Sequence, residues 1–354
     1  MSDLARPLAE AAERLFAQRC SATLVNAAEV GDWPQALWQA VEDLASAQLL
    51  VPEDLDGAGG DWIDACALLE KAGEHSLPLP IAESVLAGWL LAQAGQPPGA
   101  GPFSFGCVDT DITAVRRDGR ITLALPAVPW ASRCATLLLV LRDGDGVALL
   151  RLPRQAFTVE PGLALSGEPR DAVSLRDIEL DTAGVACHRL GGLGFIDVLG
   201  RAALLRAALM AGACRRVLAL TLAYTGERVQ FGRAIGQFQA VQHQLAQLAE
   251  ETAAARVAVQ AAAAGCDGAG SVVACAAAKL RAGEAAGLCV RISHQLHGAI
   301  GVTFEHVLHQ STRRLLTWRD EHGAEAWWAR ELVAALRRRR VPNAWAALIA
   351  ATAR

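Results

Sequence analysis

Apolar residues recur at three- and four-residue spacing through the first hundred positions, at Leu8–Phe16, Trp33–Ala47, Asp64–Ala72 and Ile81–Ala94. That spacing predicts amphipathic helices. Pro52, Gly57, Gly59 and Gly60 interrupt it between the second and third, and the Gly/Pro-rich tract 95–102 closes it. Beyond the tract the period falls to two. Arg120–Leu125 and Val173–Leu180 alternate, while Ala135–Leu141 and Val147–Leu152 flank the turn signal Arg142-Asp143-Gly144-Asp145-Gly146. Strands so close together, with no helix between them, predict a small antiparallel sheet. From about Gly191 the helical period returns and holds, with helices expected at Ile196–Val229, Phe238–Ala264, Ser271–His297, Phe304–Trp318 and Glu325–Arg340. The chain is therefore expected to be mainly α with a small antiparallel β middle domain. The expected divisions are an N-terminal helical domain over 1–101, a β domain over 102–190 and a C-terminal helical bundle over 191–354.

Composition supports this picture. Of 354 residues 53% are hydrophobic but only 5% aromatic, and alanine runs such as Ala261–Ala264 supply much of the apolar mass. Alanine favours helix and lets helices approach closely. A net charge of -4 excludes a strongly basic nucleic-acid binder and a charge-driven disordered chain. The cysteine number, nine, is odd, no CxxC pair occurs, and Met1–Arg19 carries charges where a secretory signal needs an apolar core. Reduced thiols and a cytoplasmic location are the expectation. No run reaches the roughly 18 apolar residues of a membrane span. The nearest, Val341–Ala353, is short and broken at Pro342-Asn343, which favours a docking helix over an anchor.

Few segments carry chemistry. Arg228-Val229-Gln230-Phe231-Gly232-Arg233, followed by Phe238-Gln239, places arginines, amides and a glycine between two long helices. Backbone N–H groups in a glycine-bearing turn, with fixed positive charge beside them, suit a diphosphate; an Arg-rich helix–helix turn accounts for the same residues. Gln295-Leu296-His297-Gly298-Ala299-Ile300-Gly301 permits close backbone approach, as a glycine helix cap also does. His294, His297, His306 and His309 form two HxxH pairs, but no carboxylate or cysteine completes a metal site, so no metal is expected.

With these motifs at this separation, the chain resembles the acyl-CoA dehydrogenase family. Arg228 to Gly232 with Gln239 is similar to its RxxFG…Q motif, Gln295 to Gly301 to its QxxGGxG motif, and Pro52 to Gly60 to its PEexGGxG turn. The resemblance implies FAD as cofactor, an acyl-CoA as substrate and an electron-transfer flavoprotein as acceptor. Arg228 would pair with the pyrophosphate of a neighbouring subunit's FAD. Gln230, Phe231 and Gln239 would line the adenosine, and Gln295 and Gly298 would complete that wall. Ala299 replaces the family's second glycine. At the flavin end Trp130 would pack on the ring and Ser132 would face its N5 edge, although a tryptophan covering the sheet edge fits equally. The family's TEPxxGSD run has no counterpart between Phe103 and Arg117.

Family members abstract the α-proton of an acyl thioester with a glutamate, as the thioester makes that proton acidic enough for a carboxylate in a dry site. Counting from the motifs, one position used for that glutamate falls on His322, beside Glu321; the other falls near Ala202, where there is none. Glu321 is the expected base and His322 its chemical alternative, against a solvated Arg-Asp-Glu turn. Two functions follow from the resemblance. One is an FAD-dependent acyl-CoA dehydrogenase that acts as a homo-oligomer. The other is a non-catalytic subunit in an α2β2 hetero-oligomer, which completes the FAD adenosine site of a related chain.

Overall fold

Five helices open the chain: α1 (Ala5–Arg19), α2 (Ala22–Glu29), α3 (Gln35–Glu42), α4 (Trp62–Glu74) and α5 (Ile81–Gln93). The computed structural model describes residues 4–44, 46–182, 184–267, 271–338, 343, 345 and 346. Asp61 starts α4 through a reciprocal capping box. Its carboxylate accepts from the amides of Ile63 (2.8 Å) and Asp64 (3.0 Å), while Asp64 accepts from the amide of Asp61 (2.8 Å). The segment expected as one helix over Trp33–Ala47 is helical only from Gln35 to Glu42, after Pro34. The preceding α2 has too little apolar repeat to be read from periodicity, and Ser21 starts it by accepting the Leu24 amide at 3.2 Å.

Two four-stranded sheets follow. The strands are β1 (Phe103–Asp111), β2 (Arg116–Arg117), β3 (Arg120–Pro129), β4 (Thr136–Asp143), β5 (Gly146–Pro153), β6 (Thr158–Glu160), β7 (Arg170–Glu179) and β8 (Ala186–Leu190), with a short helix α6 (Ile112–Val115) after β1. The sheet orders are β1-β4-β5-β8 and β2-β3-β7-β6. Pairing is antiparallel throughout both sheets except that β1 runs parallel to β4, Phe103 opposite Thr136. The chain makes β2 and β3 of the other sheet before returning to β1 with β4, so hairpin signals alone do not reveal that pair. β4 is buried on both faces. Leu137, Leu139 and Leu141 join the core of the β region, and Leu138 and Val140 join the helical core together with Phe103 and Phe105 of β1. This double burial explains the unbroken apolar run there.

The remainder is α7 (Phe195–Glu227), a hairpin of β9 (Val229–Gln230) and β10 (Arg233–Ala234), then α8 (Gln239–Ala264), α9 (Ser271–His297), α10 (Leu308–Asp320) and α11 (Glu325–Arg338). Small residues set the helix crossings. A Cβ on Gly73 of α4 would lie 1.9 Å from the Leu209 carbonyl oxygen of α7, and one on Gly212 of α7 would lie 1.8 Å from the Glu70 oxygen of α4. The two backbones are in contact. The end of the helix expected to reach Arg340 and most of the tail Val341–Ala353 lie outside the described residues. Among the described residues no helix is long and apolar enough to cross a membrane.

Candidate functional site

The Arg228 segment is an exposed arm at the end of α7. The Arg228 amide donates to the Tyr224 carbonyl oxygen at 2.8 Å, closing the helix, and the Ile235 amide donates to the Arg228 oxygen at 2.8 Å, so β9 and β10 fold back on each other. At the hairpin tip Phe231 and Gly232 are both left-handed, with φ of 52° and 80°. Phe231 is 92% exposed and meets the Phe238 ring edge-on at 6.1 Å. A bulky residue held at positive φ and turned to solvent costs stability, which points to a use outside the chain's own core. Arg228, Gln230 and Gln239 are also exposed, as are Gln295 and Gly298 at the end of α9. Gly298 has φ of 65° and nothing within 4 Å of an added Cβ. Tyr224 of α7 joins the two segments: its ring stacks on His297 (4.4 Å, 18°) and its hydroxyl donates to the His297 carbonyl oxygen at 3.3 Å. A guanidinium, primary amides, an exposed ring and an open glycine backbone fit an adenosine diphosphate.

Trp130 lies at the turn after β3. It is buried, has φ of 58° and meets Trp33 edge-on at 6.5 Å. With Ser132, Trp33, Pro34 and Pro169 it lines a cavity of about 330 Å³. The Ser132 amide is already engaged, donating to Asp171 at 2.7 Å, while the other oxygen of Asp171 accepts the Gly162 amide at 3.1 Å. The Ser132 side chain is half-buried on that cavity.

Glu321 and His322 form the turn between α10 and α11, and both are half-buried, with their side chains turned to other elements. Arg170, the residue before Asp171 in β7, donates through both Nε and Nη2 to Glu321 Oε1. Arg206 of α7 pairs with Glu321 Oε2 at 2.8 Å and with Glu83 of α5 at 2.5 Å. Lys279 of α9 donates to the carbonyl oxygens of Arg319 (2.6 Å) and Gly323 (2.8 Å), and Trp328 donates to that of His322 (2.9 Å). Burial pushes the Glu321 carboxyl up, but Arg170, Arg206 and Lys279 outweigh it and leave the group below the usual carboxylate range. Burial lowers Lys279 to about 8 despite Glu325 and Glu321 nearby. Burial, reinforced by Arg206, Lys279 and Arg170, takes His322 far below its ordinary value, so the ring is neutral and weakly basic. His322 faces Phe105 (5.9 Å). The space it shares with Glu83, Ala202 and Arg206 is a cavity of about 10 Å³, room for one water at most. Glu321 is therefore an ionised carboxylate already engaged by two guanidinium groups.

One histidine of each pair, His297 and His306, meets the Tyr224 ring at the base of the arm. His297 and His306 approach to 4.8 Å, and no group of three or more His, Cys, Asp or Glu among the described residues is placed to hold a metal. Arg206, Glu83 and Arg170, which build the charge network around Glu321, belong to no sequence motif. Their signal was an arginine inside the apolar run Ala202–Ala213 and a glutamate inside Ile81–Leu91, two charges in helices that are otherwise apolar.

Family models match at both ends: the acyl-CoA dehydrogenase N-terminal domain over residues 2–98 and the acyl-CoA dehydrogenase C-terminal domain over 193–336. The chain belongs to the acyl-CoA dehydrogenase family. It is 31% identical over 310 residues to acyl-CoA dehydrogenase IpdE2 of Mycobacterium tuberculosis, covering 87% of this chain and 89% of that protein. The fold is shared with a subunit of the Tcur3481-Tcur3483 steroid ACAD (a G363A variant) at TM-score 0.81 and 24% identity, covering 95% of this chain and 98% of that one. It is shared too with a chain of the ChsE4-ChsE5 complex of Mycobacterium tuberculosis, at TM-score 0.83 and 19% identity, covering 97% and 99%.

Proposed function

We propose that this chain is the non-catalytic partner subunit of a heteromeric, FAD-dependent acyl-CoA dehydrogenase. In this reading Arg228, Gln230, Phe231, Gln239, Gln295 and Gly298 receive the adenosine diphosphate half of an FAD whose ring is worked by the partner chain. Bound flavin supplies the hydride acceptor for α,β-dehydrogenation of an acyl-CoA, and an electron-transfer flavoprotein takes the electrons. This chain's own residues bind and orient. The observation that carries the reading is Arg206, held between Glu83 and Glu321 where a base and an acyl chain would need free space. A base must be able to take a proton, and a carboxylate paired with two buried guanidinium groups is stabilised in its ionised form and shielded from a substrate. Two of the related structures, Tcur3481-Tcur3483 and the ChsE4-ChsE5 complex, are two-component assemblies, in keeping with a division of labour.

The competing reading, a self-sufficient dehydrogenase with Glu321 or His322 as base and Trp130 and Ser132 against its own flavin, needs that network to open. Purifying the chain alone separates the two. The partner reading expects protein that is colourless, or whose flavin an acyl-CoA does not bleach, and that gains a bleachable flavin when mixed with a related subunit. Yellow protein bleached by acyl-CoA in the absence of any other chain would overturn it.

A further inference from the structure

Tyr224, the chain's single tyrosine, does more than fill space between two helix ends. Its backbone carbonyl accepts the Arg228 amide, closing α7 one turn before the arm, and its hydroxyl reaches the carbonyl of the last residue of α9. That α9 oxygen is one of the terminal carbonyls that no intrahelical amide can satisfy. Below the hydroxyl, the phenol ring lies flat on His297, and His297 in turn faces His306. The His297 ring is itself fixed, since Nδ1–H donates to the Ser293 oxygen at 2.8 Å, and the ring is only 4% exposed in its residue. Arg228 and Gln295 with Gly298 therefore sit on either side of one small, locked contact. Within the arm the hairpin closes on itself, with Arg233 over the Phe238 ring at 4.1 Å, and at its tip Gln230, Phe231 and Gly232 are exposed.

From this geometry we infer that Tyr224 and His297 are positioning residues that hold the Arg228 hairpin and the Gln295–Gly298 segment in one register, so that the two halves of the adenosine wall face a cofactor as a single preformed surface. This rests on the reading that the wall meets FAD. Neither side chain touches the cofactor; each acts by fixing the residues that do. Preorganisation of this kind strengthens binding by removing the ordering cost of two exposed segments.

Amide hydrogen exchange on the full chain without ligand, paired with flavin retention in the assembly that carries FAD, is the test. Tyr224→Leu removes both hydroxyl and stack. It is expected to speed exchange about tenfold, the scale of one lost buried hydrogen bond with its packing, in the hairpin and in segment 298–303 together, with α5 unchanged. Tyr224→Phe keeps the stack and loses the hydroxyl, and should recover part of the loss in both segments. Flavin retention should fall in the same order, Leu more than Phe, while Arg228→Ala weakens retention without changing exchange. If Tyr224→Leu loosens the hairpin alone and leaves 298–303 as in the parent, or if retention is unmoved while Arg228→Ala lowers it, the positioning role is wrong. If the exchange coupling holds but Arg228→Ala retains flavin fully, the link between Tyr224 and His297 stands and the cofactor-wall reading fails, and with it the cofactor-positioning role.

Discussion

Arg206→Met is the sharpest perturbation of the charge network around Glu321. Arg206 and Glu83 are each 3% exposed, and the arginine is the shared partner of Glu83 and Glu321. Burial opposes the Arg206 charge, but Glu321, Glu83 and Glu168 outweigh it and hold the guanidinium charged. Methionine fills similar volume, so the loss is chiefly electrostatic. Glu321 keeps Arg170, but Glu83 becomes a buried carboxylate without its cation, which costs about 3–5 kcal/mol. Guanidinium denaturation followed by far-ultraviolet circular dichroism reads that loss as a lower midpoint at similar slope. Adding Glu83→Leu removes the stranded charge, and the double variant should recover most of the stability, since apolar replacement of a whole buried pair is often neutral. The pH dependence has a definite sign. Glu321 titrates below its ordinary value of 4.5 when folded, so its stabilisation is complete above that pH and fades as pH falls through the lower folded value. The gap between parent and Arg206→Met should therefore shrink as pH falls, with the Glu321 share of it lost below about pH 4.5. A single-variant loss under about 1 kcal/mol, or a double variant no better than the single, would refute the reasoning.

Three further outcomes follow from the same geometry. Gly212→Ala places a Cβ 1.8 Å from the Glu70 oxygen and must part α4 from α7, lowering stability by about 3 kcal/mol; Gly226→Ala in the same helix meets nothing and should stabilise by about 0.5–1 kcal/mol in the same denaturation assay. Lys279 is lowered to about 8 from 10.5, so the folded chain binds fewer protons than the unfolded chain across that window and its contribution to stability rises with pH there. In paired melts Lys279→Met should remove about 3 kcal/mol of that rise at most. Phe231→Ala should change stability by less than about 0.5 kcal/mol, given its exposure, yet weaken flavin retention in the assembly about tenfold through lost stacking. Equal flavin retention in the variant would count against the adenosine wall.

Helices and strands announced by period were largely where the pattern put them, because α4, α5 and the long helices of the C-terminal bundle bury one broad face or are buried all round. The misses have local causes. α2 begins at a serine cap rather than at an apolar repeat. β1 carries no turn signal linking it to β4, since the partner strand lies beyond an intervening hairpin of the other sheet. The arm was legible because its residues are contiguous, and contiguity survives folding. The charge network was not, since Glu83, Arg170, Arg206, Lys279 and Glu321 come from five separated segments, and nothing short of tertiary packing reveals that Arg206 reaches Glu321. A turn written Arg319-Asp320-Glu321-His322 looks solvated in sequence, and Asp320 is exposed; three helices and a strand nevertheless engage Glu321 and the carbonyls of Arg319 and His322.

On the proposed partner role, Glu321 holds structure and does not move the substrate's proton. Glu321→Gln, made in this chain and measured in the assembled enzyme, tests it through the rate at which an acyl-CoA bleaches the flavin under anaerobic conditions. The expected rate is within about twofold of the parent, because glutamine loses charge in the network but leaves the reacting atoms alone. A fall of about a hundredfold or more, the scale of losing a general base, would contradict it.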